Sequence, residues 1–159
     1  SSAFKVIERL GFWKKTKLLP GETTKFDSIT IEATAGARVP SIENGYIISN
    51  QKSSFYIEPH GYLDKNIKPR KLDLVITPVI NLSLPFSGSF IRGKSVLPEL
   101  INNFNPNTLI ASTTGGDASF TGFLNNIISS QGSFEEVNQL LMNKIRFINP
   151  IVGKNYNIN

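Results

Sequence analysis

A chain of 159 residues, 40% hydrophobic, 18% charged and carrying a net charge of +5, has ordinary globular composition and enough material for one core but not two. Cysteine is absent and His60 is the single histidine, which excludes disulfides, thiolate zinc sites, cysteine nucleophiles and any histidine-rich metal site built from this chain alone. No apolar run approaches the roughly 20 residues of a membrane span, and the opening residues lack a signal-peptide core, so a cytoplasmic protein without membrane contacts is expected.

The positive charge gathers in two clusters: Lys5, Arg9, Lys14, Lys15 and Lys17, then Lys65, Lys68, Arg70 and Lys71. Neither is interleaved with aromatic residues, so both read as solvated surface and no nucleic acid partner is expected. The chain opens on Ser1 directly inside a helical pattern, and its only methionine is Met142. That reads as a piece of a longer protein.

In chain order, Phe4, Ile7 and Leu10 recur at helical spacing before Gly11, predicting a helix over 2–10 with a glycine C-cap. Residues 12–18 read as a short strand with its lysines outward, and Leu19-Pro20-Gly21-Glu22 as a turn. Alternation over 25–39, carried by Phe26, Ile29 and Ile31, predicts one half-buried strand broken near Gly36 and Pro40. Gly45-Tyr46-Ile47-Ile48 and Ser54-Phe55-Tyr56-Ile57 flank a polar turn and predict a hairpin, which Pro59 ends because it has no N–H for a ladder.

Residues 62–71 then read as a polar surface link. Residues 72–117 look like a strand–helix–strand unit: a strand reaching Ile80, a Pro/Gly/Ser loop, a helix from about Lys94, and the strand Thr108-Leu109-Ile110-Ala111. Phe120, Phe123, Leu124, Ile127 and Ile128 form a helical stripe ending at Gly132, and Ser133-Phe134-Glu135-Glu136 is a capping box for a helix through Lys144 with Val137, Leu140 and Leu141 inward. Residues 146–159 read as a terminal strand or extended arm after a partial domain over 1–145. The class is α/β or α+β in layers.

Three stretches could carry chemistry. Gly88, Gly93, Lys94 and Ser95 satisfy the phosphate-cradling pattern G-x-x-x-x-G-K-[ST], but the preceding strand ends about eight residues early, Pro85 intervenes, and Pro98 fits only a first helical turn. Glu58-Pro59-His60-Gly61, with Asp64 nearby, places an imidazole beside carboxylates, the pairing a metal ligand or a general base needs; a partly buried histidine bonded to backbone satisfies the same pattern. Thr113-Thr114-Gly115-Gly116-Asp117 puts small residues at a strand's carboxyl end, where backbone amides can face a ligand and Asp117 can hold a cation or cap a helix.

Taken together, Gly11-Phe12, Leu19-Pro20-Gly21-Glu22-Thr23, Phe55-Tyr56-Ile57-Glu58-Pro59-His60-Gly61, Asp73-Leu74-Val75-Ile76-Thr77-Pro78-Val79 and Leu109-Ile110-Ala111-Ser112-Thr113-Thr114-Gly115-Gly116-Asp117 resemble the second half of a metallo-β-lactamase-fold hydrolase, in its lactonase-like and phospholipase-like branch. The resemblance covers most of residues 1–145. It implies half of an αββα sandwich, a mixed sheet with helices on one face and metals at one edge. It further implies that the H-x-H-x-D-H cluster lies in an N-terminal half missing from this chain, which would be its partner alongside a small-molecule substrate. The implied cofactor is a divalent metal, zinc with manganese or iron as alternatives.

On this resemblance Glu58, His60 and Asp117 would face the metals and Thr114, Gly115 and Gly116 the substrate, with the chain inactive by itself. The sequence departs from the pattern twice. Pro59 stands where a Gly-Asp-Thr-Gly type loop has its Asp, and no histidine follows the strand Leu109-Ile110-Ala111. A non-catalytic binding or scaffold domain on the same fold is therefore the alternative, with nucleotide binding through Lys94 as a third reading.

Overall fold

The computed structural model describes residues 2–38, 42–112, 122, 127–142 and 144–158. Helix α1 spans Ser2–Arg9 and stops at Gly11, whose φ of 83° lies in the left-handed region that glycine enters without a Cβ penalty. Residues 12–18 form no strand, contrary to expectation: Phe12 and Trp13 are exposed and no ladder partner lies beside them. The turn at Pro20-Gly21 forms as expected, with Glu22 N–H donating to the Leu19 carbonyl.

The single strand expected over 25–39 is two. Strands β1 (Thr23–Phe26) and β2 (Ile29–Arg38) pair antiparallel around Asp27, which sits at φ 51°. Aspartate tolerates that conformation, so Asp27-Ser28 makes a tight turn inside an otherwise unbroken alternation. Next come β3 (Ile42–Ser49) and β4 (Ser54–Ile57), the expected hairpin, closed by Asn50, whose Oδ1 accepts from Lys52 and Ser53 N–H at 2.8 and 2.9 Å.

Strand β5 (Leu74–Thr77) ends before Pro78 rather than at Ile80. The expected loop after it is a second hairpin, β6 (Asn81–Leu84) with β7 (Gly88–Arg92), turning at Phe86 with φ 65°. Helix α2 (Gly93–Phe104) follows directly, with Pro98 in its second turn rather than its first. Asn81 fixes the start of α2: its Oδ1 accepts from Ser95 N–H at 3.2 Å and its Nδ2 donates to Ser95 Oγ at 2.9 Å.

Strand β8 (Thr108–Ala111) is as expected, whereas residues 129–131 form strand β9 (Ser129–Gln131) beside β6 instead of the end of a helix. The free edge of β6 offers Ser129, Ser130 and Gln131 a ladder that their own polar side chains give no helix a reason to refuse. Phe120, Phe123 and Leu124 lie outside the described residues. Helix α3 (Phe134–Leu141) starts on the expected cap, Ser133 Oγ accepting from Glu136 N–H at 3.2 Å, but ends at Met142 in the left-handed region, short of Lys144. Leu140 is 43% exposed at the rim of its stripe. Strand β10 (Arg146–Ile148) pairs parallel with β8.

The main sheet has seven strands in the order β1-β2-β3-β4-β5-β8-β10, and β7-β6-β9 form a separate small sheet. Ile47, Tyr56, Val75 and Leu109 lie in one register row and are buried beneath Leu97, Leu100 and Phe104 of α2 and Val137 and Leu141 of α3. The Tyr56 and Phe104 rings stack at 4.9 Å between centroids. Leu63 and Ile67 pack onto this core, so residues 62–71 are more than the polar link their composition suggests.

The opposite face is different. The rows Ile31-Ile48-Phe55-Leu74 and Ile57-Ile76-Ile110, with Phe26 and Ile29 at one edge, are apolar but only half-buried or exposed, and none of these residues belongs to the core. Helices α2 and α3 thus cover one side of the sheet, and among the described residues no core cluster forms on the other. Phe104 is the anchor of the covered side, and Phe104→Ala should lower unfolding free energy by about 3–5 kcal/mol in urea titrations; a loss below about 1 kcal/mol would mean that α2 is not the main cover.

Candidate functional site

Strand β4 delivers Glu58 to the helix-covered side of the sheet and Pro59 ends the ladder there. Glu58 is 0% exposed. Its Oε2 accepts two backbone N–H groups of the loop that follows, from His60 at 3.0 Å and Tyr62 at 2.7 Å, so the carboxylate acts as the hub of that loop. Tyr56 O–H donates to the Tyr62 carbonyl at 2.8 Å, and Arg92 N–H donates to the His60 carbonyl at 2.9 Å, tying the loop to β4 and β7. Gly61, at φ 69°, lies so close to Arg92 and Gly93 that a Cβ would meet Gly93 N at 2.4 Å.

His60 is turned toward two carboxylates, with Nδ1 at 3.5 Å from Glu43 Oε2 and 3.8 Å from Glu58 Oε1. Those are charge-pair distances, longer than good hydrogen bonds. Glu43 was not among the sequence candidates. Its place was nevertheless derivable: the β3–β4 register pairs Tyr46 with Ile57, and continuing it past the ladder brings Glu43 opposite His60. Asp64, the carboxylate expected to serve His60, is buried and committed elsewhere, Oδ2 accepting from Ala35 N–H at 2.7 Å and Oδ1 from Asn66 N–H at 2.9 Å.

The same register carries a row across the sheet: Thr34 within β2, Gly45 within β3, Glu58 just past β4 and Thr77 at the end of β5. Thr34 Oγ1, Glu58 Oε1 and Thr77 Oγ1 are buried without a hydrogen-bond partner among the described residues, as is His60 Nδ1. Gly45 leaves the space this cluster occupies, since a Cβ there would meet Thr34 Oγ1 at 2.6 Å and Tyr56 Oη at 3.1 Å. Burial raises the Glu58 pKa above its ordinary 4.5, against the two N–H bonds and the facing imidazole, which lower it. Burial and then the Glu58 charge raise the Tyr56 pKa, keeping its phenol neutral.

These groups do not make a metal centre by themselves. Among the described residues no set of three or more His, Cys, Asp or Glu is placed to hold a metal, whereas a catalytic zinc takes about three protein ligands. Glu58 keeps one oxygen for its loop, and Asp64 keeps none free. Asp117, Thr114, Gly115 and Gly116 lie outside the described residues.

The phosphate-loop pattern is not a phosphate loop. Gly88 through Arg92 is strand β7, with its backbone in the β6 ladder, Ser95 is bonded to Asn81, and Lys94 Nζ lies 2.6 Å from Glu136 Oε2. A nucleotide-binding loop needs those amides and that lysine unpaired. The reading through Lys94 is therefore set aside.

Beside His60 opens a cavity of about 430 Å³ between the β2 bulge at Ala35 to Arg38, the loop at His60 to Tyr62, and β7 at Ser89 to Arg92. It is the space in which the loop's chemistry can meet a small molecule.

Linkage gives the sign of the Glu58 effect. A carboxyl whose folded pKa is raised adds stability below its unfolded value and loses it as pH rises through the folded one. Glu58→Gln removes the charge while keeping an oxygen for the two N–H groups. Its denaturation midpoint should rise relative to wild type as pH increases above about 4.5 toward neutrality; a difference that does not change with pH would contradict this reading.

No family profile and no curated protein matches the sequence. Solved structures do resemble the fold. One is YhfI from Bacillus subtilis, a metallo-beta-lactamase fold protein, at 9% identity and TM-score 0.50 over 93% of this chain and 59% of that one. Another is a mutant of CmlA beta-hydroxylase, at 13% identity and TM-score 0.47 over 67% of this chain and 27% of that one. The chain thus spans about three fifths of the first of these proteins and about a quarter of the second. No helix among the described residues is long and apolar enough to cross a membrane. The architecture, a mixed sheet with helices on one face, is a metallo-β-lactamase-type α/β layer.

Proposed function

We propose that this chain is one layer of a metal-dependent hydrolase of the metallo-β-lactamase fold, supplying the substrate-side loop and cavity while a second layer on the uncovered sheet face contributes the metal ligands. The observation that carries this reading is that second face, on which no core cluster forms among the described residues. It presents Phe26, Ile29, Ile31, Ile48, Phe55, Ile57, Leu74, Ile76 and Ile110, a surface patterned for packing against another sheet about 10 Å away.

The second layer is the N-terminal half that the sequence resemblance implies, and the metal is zinc, manganese or iron held largely on that half. The His60 loop would then border the metal site rather than form it. A non-catalytic binding domain is the second reading, favoured by one observation: Glu58 spends an oxygen on its own loop and Asp64 both of its oxygens on backbone, so neither is arranged as a ligand.

Sedimentation velocity and metal analysis on the same samples test the proposal. The 159-residue chain is expected to self-associate through the uncovered face, and Ile29→Lys with Ile57→Lys, both at exposed positions, should shift it to monomer while changing stability by no more than about 0.5 kcal/mol per site. Bound metal should stay below about 0.1 per chain, since among the described residues no three ligands are placed together. A wild-type monomer carrying one metal per chain would contradict both halves of the proposal.

A further inference from the structure

The cavity beside His60 has a charge pattern that the hydrolase reading does not require. Among the described residues, none of its lining side chains is acidic, whereas Arg38 and Arg92 both line it, one from the β2 bulge and one from the end of β7. Neither guanidinium forms an ion pair among the described residues, although Arg70 is paired with Glu32 at 2.7 Å and Lys94 with Glu136 at 2.6 Å. Two arginines without an ion pair among the described residues, lining one concave site, form an electrostatic trap for an anion, and the guanidinium fork matches phosphoryl oxygens better than a lysine does.

The rest of the lining is of a different kind. Pro20, Ala35, Ala37, Tyr62 and Phe90 give the same cavity an apolar and aromatic wall. The walls are held in place by backbone contacts: Arg92 N–H to the His60 carbonyl, and Ala35 N–H to Asp64 Oδ2. At about 430 Å³ it falls within the range of small-molecule sites. We infer that this cavity binds a phosphorylated small molecule, its phosphoryl group held by Arg38 and Arg92 and its apolar portion lying along Tyr62 and Phe90. The inference is independent of the second layer and of any metal.

Phenyl phosphate is the probe, titrated into the 159-residue chain by calorimetry and by backbone amide NMR, with phenol, benzoate and inorganic phosphate as comparators. Phenyl phosphate should bind with Kd below about 1 mM, more tightly than inorganic phosphate or benzoate, and phenol should not bind. Arg38→Gln and Arg92→Gln should each weaken binding by about tenfold or more, since each removes a charge-assisted contact. Lys25→Gln, remote from the cavity lining, should leave it unchanged and controls for the net positive charge of the chain. Circular dichroism melts verify that each variant is folded, and Arg92→Lys, which retains charge but not the fork, should fall between Arg92→Gln and wild type.

Phenyl phosphate binding weaker than about 10 mM would overturn the inference. So would equal loss in Lys25→Gln and the arginine variants, or benzoate binding as tightly as phenyl phosphate. Because none of these readouts depends on association state or metal content, the site can fail while the layered hydrolase reading stands, and the reverse.

Discussion

The structure around the candidate site depends on a carboxylate that has been taken out of water. Glu58 is fully buried, and an isolated ionised carboxylate there would be costly. Two N–H groups from His60 and Tyr62 offset that cost, and in doing so they fix the path of the loop. The loop's path then sets everything nearby: the Tyr56 hydroxyl reaches the Tyr62 carbonyl, Asp64 reaches Ala35 on β2, and the His60 carbonyl receives Arg92 N–H at the end of β7. The cavity exists because these three segments are held apart and in register around one buried carboxyl group.

The two faces of the main sheet divide the remaining work. On one, Tyr56 packs on Phe104 and the α2 and α3 stripes close the core, so β4 can end with Glu58 already buried. On the other, the isoleucine and phenylalanine rows remain partly open. The same alternation that buries Tyr56 necessarily presents Phe55 and Ile57 to the other side. The cavity chemistry and the uncovered face are thus consequences of one strand.

Much of this was legible in the sequence, and the failures have physical causes. The hairpin at β3 and β4, the strand Thr108–Ala111, the Ser133 cap and the C-cap at Gly11 all rest on local signals, and local signals sufficed. Residues 12–18 read like a strand but join no ladder among the described residues, and a strand is defined by its neighbour. The β6–β7 hairpin was obscured because Pro85, Gly88 and Ser89 read as loop composition, although Gly88 and Ser89 lie inside its ladder. Glu58 and His60 were singled out for their chemistry, but not Glu43, whose role appears only when the hairpin register is carried past its last bond. Asp64 illustrates the opposite error: a carboxylate near a histidine in sequence turned out to cap a strand edge.

Hydrogen exchange at two amides tests the central claim, that a buried Glu58 carboxylate holds the loop as a rigid wall. The amides of His60 and Tyr62 should exchange as slowly as those within β5 in wild type, remain slow in Glu58→Gln, and exchange at least about a hundredfold faster in Glu58→Ala, where the acceptor is gone. Rapid exchange of both amides in the wild-type chain would show that the carboxylate does not organise the loop.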